Sequence, residues 1–336
     1  MTIEILVLGF LFGAIIQYAN LNKYNVISGL STLEDYTVLK SLLLAIGVGA
    51  ILLNIAIYFG IAEYHIKPFL LGGLLLGGLI FGSGMAILGY CPGTMVISAG
   101  EGSLDAVVGI FGGLIGGFVF TILKPAMNEI LGQNQGALYI GSIVHSKILF
   151  FISVLLFAAL LISIAFLLNK SEKSKDKKWI YSGIGLAVLN LIVFSKFFTN
   201  RPIGASTSFP YLADVLTHSV SNNYFEKIKT PGHWEMIFLL GAFIAAFIIS
   251  LIKKDFKLKL IHSRWKNYKG NSGLKRIIWA FVGGFILIFG ARMAGGCTSG
   301  HILSGGMQIA FSSLFFSIFA LTGLFLTGKF FYTKKK

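Results

Sequence analysis

Charge is what this chain has least of. Asp, Glu, Lys and Arg make up 12 % of its 336 residues, about half the share of an ordinary soluble domain. Acidic residues are scarcest, 13 against 28 Lys and Arg. Cysteine occurs twice, too seldom for a disulfide framework or a structural zinc site, so no metal ligands are assigned. No GxxxxGK[ST] stretch is present, so the chain does not itself hydrolyse nucleotide, and no motif calls for a cofactor. The first apolar run, MTIEILVLGFLFGAIIQYA, carries Glu4 and has neither a basic leader nor a small-x-small cleavage site. It reads as a retained first span rather than a signal peptide. No insert is long enough for a water-soluble domain; the longest polar stretch is about 200–232.

What is abundant is grease. Hydrophobic residues make up 55 % of the chain, and mean hydropathy is +0.81. Gly 41 is high as well, as suits membrane helices whose backbones approach closely. The fold class is therefore an all-α membrane protein. At roughly 20 apolar residues per crossing, nine spans are expected: about 3–19, 38–61, 68–88, 103–123, 146–168, 179–198, 233–252, 275–296 and 307–328.

The net charge of +15 would suggest nucleic acid in a soluble protein. Here the basic residues gather in short loops between apolar spans, the pattern of a protein seated in a lipid bilayer with basic cytoplasmic loops. Residues 170–178 (KSEKSKDKK) hold five lysines, residues 253–276 nine basic side chains, and the chain ends in Lys334, Lys335 and Lys336. With nine spans all three clusters share one side, the cytoplasm, and the N-terminus is outside.

The two cysteines stand in similar settings, GYCPGT (89–94) and GGCTSG (295–300). A shift of 206 residues superposes Cys91 on Cys297, and with it Gly77-Gly78 on Gly283-Gly284, Gly84 on Gly290, Gly89 on Gly295, Ser98 on Ser304 and Gly100 on Gly306. The copies begin five spans apart, an odd number, so the second must run through the membrane in the opposite sense. The reading is an inverted-topology repeat with short re-entrant helices. Its halves are 1–169 and 179–336, joined by the basic loop 170–178, and such folds place the substrate near the midplane at broken helices.

Each motif is suited to start a helix. Pro92 is favourable at a first helical position, and Gly93 and Thr94 leave the backbone approachable. Thr298, Ser299 and Gly300 are likewise compatible with a helix start. A helix N-terminus offers unpaired N–H donors and a positive dipole end, an anion site without a full charge in the bilayer. Arg292, inside an apolar span, is a functional candidate, since it must be paired or face a polar cavity; the bland alternative is a side chain snorkelling to the surface. His301 lines the path or packs between helices. Glu101 fits a structural role best, capping the next helix or pairing with Arg292, because an ionised carboxylate repels an anion. A small sulfur-bearing anion suits this set: soft thiols for its sulfur, N–H groups and Arg292 for its oxygens.

GYCPGT followed by GEGSLDAVVGIFGGLIGG, and GARMAGGCTSGHILSGG, resemble the two signature segments of the YeeE/YedE family of sulfur-compound transporters. GFLFGAIIQ in the first span is similar to that family's N-terminus. The resemblance implies an inner-membrane helical protein with inverted halves, in which Cys91 and Cys297 are path thiols that pass a thiosulfate-like anion inward. It also implies a cytosolic sulfur-carrier protein as receiver. Family members carry a third path cysteine after the first span. Here that segment reads YANLNKYNVISG, and Asn22 or, with a small shift, Asn25 stands in its place. RPIGAST (201–207) is the candidate counterpart loop in the second half, with Arg201 near an entrance. Sulfite, sulfide and a selenium oxyanion stay open as substrates. A membrane thiol enzyme handling persulfide or disulfide, or a channel for another small anion, is the alternative.

Overall fold

The structure is a computed structural model that describes residues 2–172, 176–219 and 222–333. The lysines at 173, 175 and 334–336, counted among the basic clusters above, lie outside the described residues. In chain order the helices are α1 (Thr2–Tyr18), α2 (Tyr24–Ser31), α3 (Thr37–Tyr58), α4 (Leu71–Leu88), α5 (Pro92–Gly100), α6 (Leu104–Leu131) and α7 (Ile140–Ile143). Then come α8 (Lys147–Glu172), α9 (Lys178–Phe194), α10 (Ser208–Leu216), α11 (Asn223–Ile252), α12 (Ser263–Lys269), α13 (Gly273–Met293), a π-helix (Thr298–Gly305) and α14 (Phe311–Phe331). Among the described residues extended pairing is limited to isolated bridges.

Among the described residues seven helical segments are long and apolar enough to cross a membrane, α4 and α5 counting as one broken segment. α1 and α9 are apolar but shorter, at 17 residues each. The chain is thus a multi-pass α-helical membrane protein. Two boundaries differ from expectation. α6 runs through Pro125 to Leu131, and α11 begins at Asn223 and runs through Pro231. Proline loses one backbone donor, yet membrane helices accept it where neighbours satisfy the freed carbonyl. The polar insert 200–232 therefore contains α10 and the first turns of α11 rather than a plain loop.

Helix packing has a crossed pattern. α4 packs on α13 and α14, and α13 packs on α4 and α6. α1 packs on α11, and α3 on α9. At the α4–α13 crossing, a β-carbon on Gly77 would come within 2.8 Å of the Gly290 carbonyl, and one on Gly84 within 3.0 Å of the Gly283 carbonyl. Only bare backbone allows so close an approach. In the 206-residue register Gly77 corresponds to Gly283 and Gly84 to Gly290, so the contact is self-complementary, as at a two-fold axis.

The ends of the molecule differ in charge. The Tyr36 N–H donates to Glu172 at 3.1 Å, and Arg264 pairs with Glu34 at 2.7 Å. The end of α8, the start of α3 and the basic stretch 253–276 therefore share one end, here termed the basic end. Residues 101–104 join it through the Leu104 N–H, which donates to the Lys259 carbonyl at 2.9 Å. At the opposite end Ala62 bridges Ser195, and Leu70 bridges Asn134.

Candidate functional site

Both cysteines sit where a helix breaks and restarts. α4 stops at Gly89, whose φ of 81° is left-handed, a conformation that glycine adopts without penalty. Tyr90 follows, then Cys91 as N-cap of α5 with Pro92 at the first helical position. α13 stops at Ala294; Gly295 turns the chain with φ of 77°, and Cys297 is N-cap of the π-helix. The two breaks have the same design, except that the second restarts as a π-helix.

Thr94 closes the first cap: the Cys91 N–H donates to its Oγ1 at 2.8 Å, and that hydroxyl lies 3.2 Å from Cys91 Sγ. Cys297 Sγ lies 3.3 Å from Ser299 Oγ. Each thiol thus has a hydroxyl at hand.

A cavity of about 180 Å³ runs beside both helix starts, bordered by Cys91, Gly93, Thr94, Thr298 and Ser299. The remaining wall is almost wholly Leu, Ile, Val and Phe, mostly from α1, α2, α3, α8, α14 and the π-helix. Apart from Ser317 of α14, the polar residues on this wall are at the helix starts. Cys297 is not on the cavity wall; it is buried, 1 % exposed, while its chain neighbour Thr298 borders the cavity.

Other candidates fall differently. Pro92 is buried in the first turn of α5. Gly300 faces the Lys67 side chain. Arg292 is buried and donates to Tyr224 Oη at 2.8 Å, Ser206 Oγ at 3.2 Å and Thr207 Oγ1 at 3.0 Å. It is therefore tied to the 201–207 loop and does not snorkel. The expected Glu101–Arg292 pairing is corrected: Glu101, at the end of α5, pairs with Lys23 at 2.6 Å. His301 does not line the cavity. Nδ1 lies 3.0 Å from Ser313 Oγ, Nε2 lies 2.9 Å from the Ala294 carbonyl, and the ring stacks on Phe316. With both nitrogens engaged it is a packing group that satisfies a carbonyl at the break in α13.

Asn22 is fully buried and is not on the cavity wall. Its Nδ2 donates to Ser98 Oγ at 3.2 Å, and the Ser98 hydroxyl donates to the Asn22 carbonyl at 2.6 Å. Asn25 is exposed and bonds to Ser263. The second half repeats the serine contact: Ser304 Oγ donates to the Ile203 carbonyl at 3.1 Å and to Asn190 Oδ1 at 3.1 Å. The segments YANLNKYN and RPIGAST therefore hold the ends of α5 and of the π-helix by the same serine-to-carbonyl bond.

Two groups escaped sequence reasoning. Lys67, from the stretch before α4, donates from Nζ to the Gly295 carbonyl at 2.5 Å. Arg276 donates to the Ile87 and Leu88 carbonyls at 3.3 and 2.7 Å and to Asp105 at 2.6 Å. Each cation serves carbonyls that a broken helix leaves without partners. Arg276 carried a signal, as arginine near the start of an apolar span, but it was counted as a loop charge. Lys67 carried none, because its partner lies 228 positions away.

Helices broken in apolar surroundings, with N-termini turned to a cavity, define a membrane transporter rather than an enzyme. The chain belongs to the Sulphur transport family, whose sequence model matches residues 23–326, and so is a transporter of sulfur compounds. It is similar to the thiosulfate transporter TsuA of Spirochaeta thermophila, 25 % identical over 334 residues and 95 % of each chain. It is also similar to the thiosulfate transporter TsuA of Escherichia coli, 22 % identical over 324 residues, covering 88 % of this chain and 85 % of that one.

Proposed function

We propose that the chain imports thiosulfate, or an anion very like it, across the cytoplasmic membrane, handing it from Cys297 to Cys91. The observation that carries this reading is the paired breaks: two thiols, each the N-cap of a short helix whose first residues border one cavity, Cys91 on its wall and Cys297 buried next to Thr298. Helix N-termini favour the anion's oxygens, and the thiols and hydroxyls offer weak donors to its sulfur. No covalent step is needed. The likeness to relatives named as thiosulfate transporters supports the choice of substrate.

In this reading the halves 1–169 and 179–336 are inverted repeats, with 170–178 the loop between them. The crossed helix packing and the glycine contacts support it. The basic end faces the cytoplasm, following the bias of lysine and arginine. Cys297 then belongs to the outer half of the path and Cys91 to the inner half. A cytosolic sulfur-carrier protein would collect the product at the basic end.

The test is uptake of radiolabelled thiosulfate into liposomes holding wild type, Cys91→Ala or Cys297→Ala. Wild type is expected to accumulate the anion, and each variant to lose most of the rate while keeping its melting temperature. Wild-type rates in both variants would sink the thiol path.

A further inference from the structure

Four ionisable side chains surround the break at Cys297. Lys67 bonds to the Gly295 carbonyl, and Arg292, near the end of α13, bonds to Ser206 and Thr207 of the 201–207 loop. Arg201 begins that loop, whose Ile203 carbonyl accepts from Ser304 of the π-helix, and Glu235 accepts the Thr207 N–H. Three are cations and one is a carboxylate. Lys67 is the nearest to the motif: a β-carbon on Gly296 would come within 2.7 Å of its Nζ, and one on Gly300 within 3.5 Å. The ammonium thus lies over the backbone that starts the π-helix. It carries three donors, of which the Gly295 carbonyl takes one. Among the described residues it forms no ion pair.

The neighbouring cations are also short of negative partners. Among the described residues the side-chain bonds of Arg292 go to the neutral hydroxyls of Tyr224, Ser206 and Thr207. Arg201 stacks on Trp234, with 4.5 Å from guanidinium carbon to ring centroid, and its Nε is buried without a hydrogen-bond partner. Thr298, 9 % exposed, also holds a buried hydroxyl without a partner, and that residue borders the cavity. Glu235 is engaged, accepting the Thr207 N–H at 2.6 Å.

The break at Cys91 differs. Arg276, which caps α4 there, is matched by Asp105 at 2.6 Å, and Lys23 by Glu101 at 2.6 Å. Where one break is surrounded by surplus positive charge, the other has its charges balanced.

We propose that Lys67, together with Arg201, forms a capture site for a dianion at the Cys297 break, and that hand-over to Cys91 is release into a neutralised setting. This deepens the reading of the chain as a thiosulfate importer and rests on it. The charge difference sets affinity and selectivity at the Cys297 side, not the net direction of transport, which the gradient decides. A doubly charged anion feels the cluster about twice as strongly as a singly charged one of similar size. Doubly charged oxyanions should therefore compete for capture better than singly charged ones.

The experiment uses the full chain in liposomes and the initial rate of labelled thiosulfate uptake. Lys67→Gln should raise KM by at least about tenfold with little change in maximal rate, as loss of a charged donor predicts. Lys67→Arg should restore most of the affinity. Arg201→Gln leaves the carbonyl cap on α13 untouched and should also raise KM, so a folding defect in Lys67→Gln does not leave the matter open. Wild-type KM should rise with ionic strength, and less steeply in Arg201→Gln. Wild-type uptake with unchanged KM in Lys67→Gln and Arg201→Gln overturns the capture site while leaving the importer reading intact. A folded wild type that neither binds nor moves thiosulfate overturns both.

Discussion

Gly89 and Gly295 lie 206 residues apart and hold the same backbone conformation, φ 81° and 77°, each two residues before a cysteine that caps a helix. Each ends a long helix inside an apolar bundle. A left-handed residue breaks the helical run at one position, and only glycine accepts it cheaply.

Both glycines should therefore resist substitution, unequally. Gly295→Ala meets open space and should cost only the conformational penalty, about 1 kcal/mol. Gly89→Ala would also push a methyl group into the Tyr24 ring, so it should cost more. Melting temperatures of the purified variants in detergent check the order; a Gly295 variant less stable than the Gly89 variant would contradict it.

Arg276 and Asp105 are both fully buried. Arg276→Met leaves the carboxylate without its cation and frees two helix-end carbonyls, so it should destabilise by about 3–5 kcal/mol. Removing the charge as well, in Arg276→Met with Asp105→Leu, should recover part of that loss. Thermal melts of the single and double variants measure it, and a double variant no better than the single one counts against charge as the cause.

Orientation gives a prediction independent of transport. A reporter inserted in 170–178 should be active only on the cytoplasmic side, and a thiol-reactive, membrane-impermeant probe applied outside intact cells should not reach a cysteine placed there. Labelling from outside would reverse every assignment of inner and outer.

One surface pair makes stability depend on acid. A hydrogen bond from Arg264 is the main cause holding Glu34 below the ordinary carboxylate value of 4.5. A carboxylate lowered in the folded state stabilises above its unfolded value, and this is lost as pH falls through the lower, folded value. Glu34 is half-exposed, so solvent screening keeps the effect below about 1 kcal/mol. Glu34→Gln should flatten the decline in melting temperature below about pH 4.5; an unchanged slope would show that the pair contributes nothing.

The sequence by itself determined the solvent and the places where helices break. Scarce charge and long apolar runs demand a bilayer, because nothing else accepts so much exposed hydrocarbon. Cys91-Pro92 and Gly295-Gly296-Cys297 mark helix restarts because proline and glycine have local, context-free conformational rules. Only tertiary structure decided who meets whom. His301 was open in the sequence between lining the path and packing between helices, and it packs, because Ser313 and the Ala294 carbonyl engage both its nitrogens. Glu101 found Lys23 rather than Arg292 because α5 carries it toward the basic end, whereas Arg292 is held by the 201–207 loop. Lys67 reached the second cysteine motif from a stretch 228 residues earlier. Partners of that kind are fixed by where helices cross, and no local pattern of side chains records the crossing.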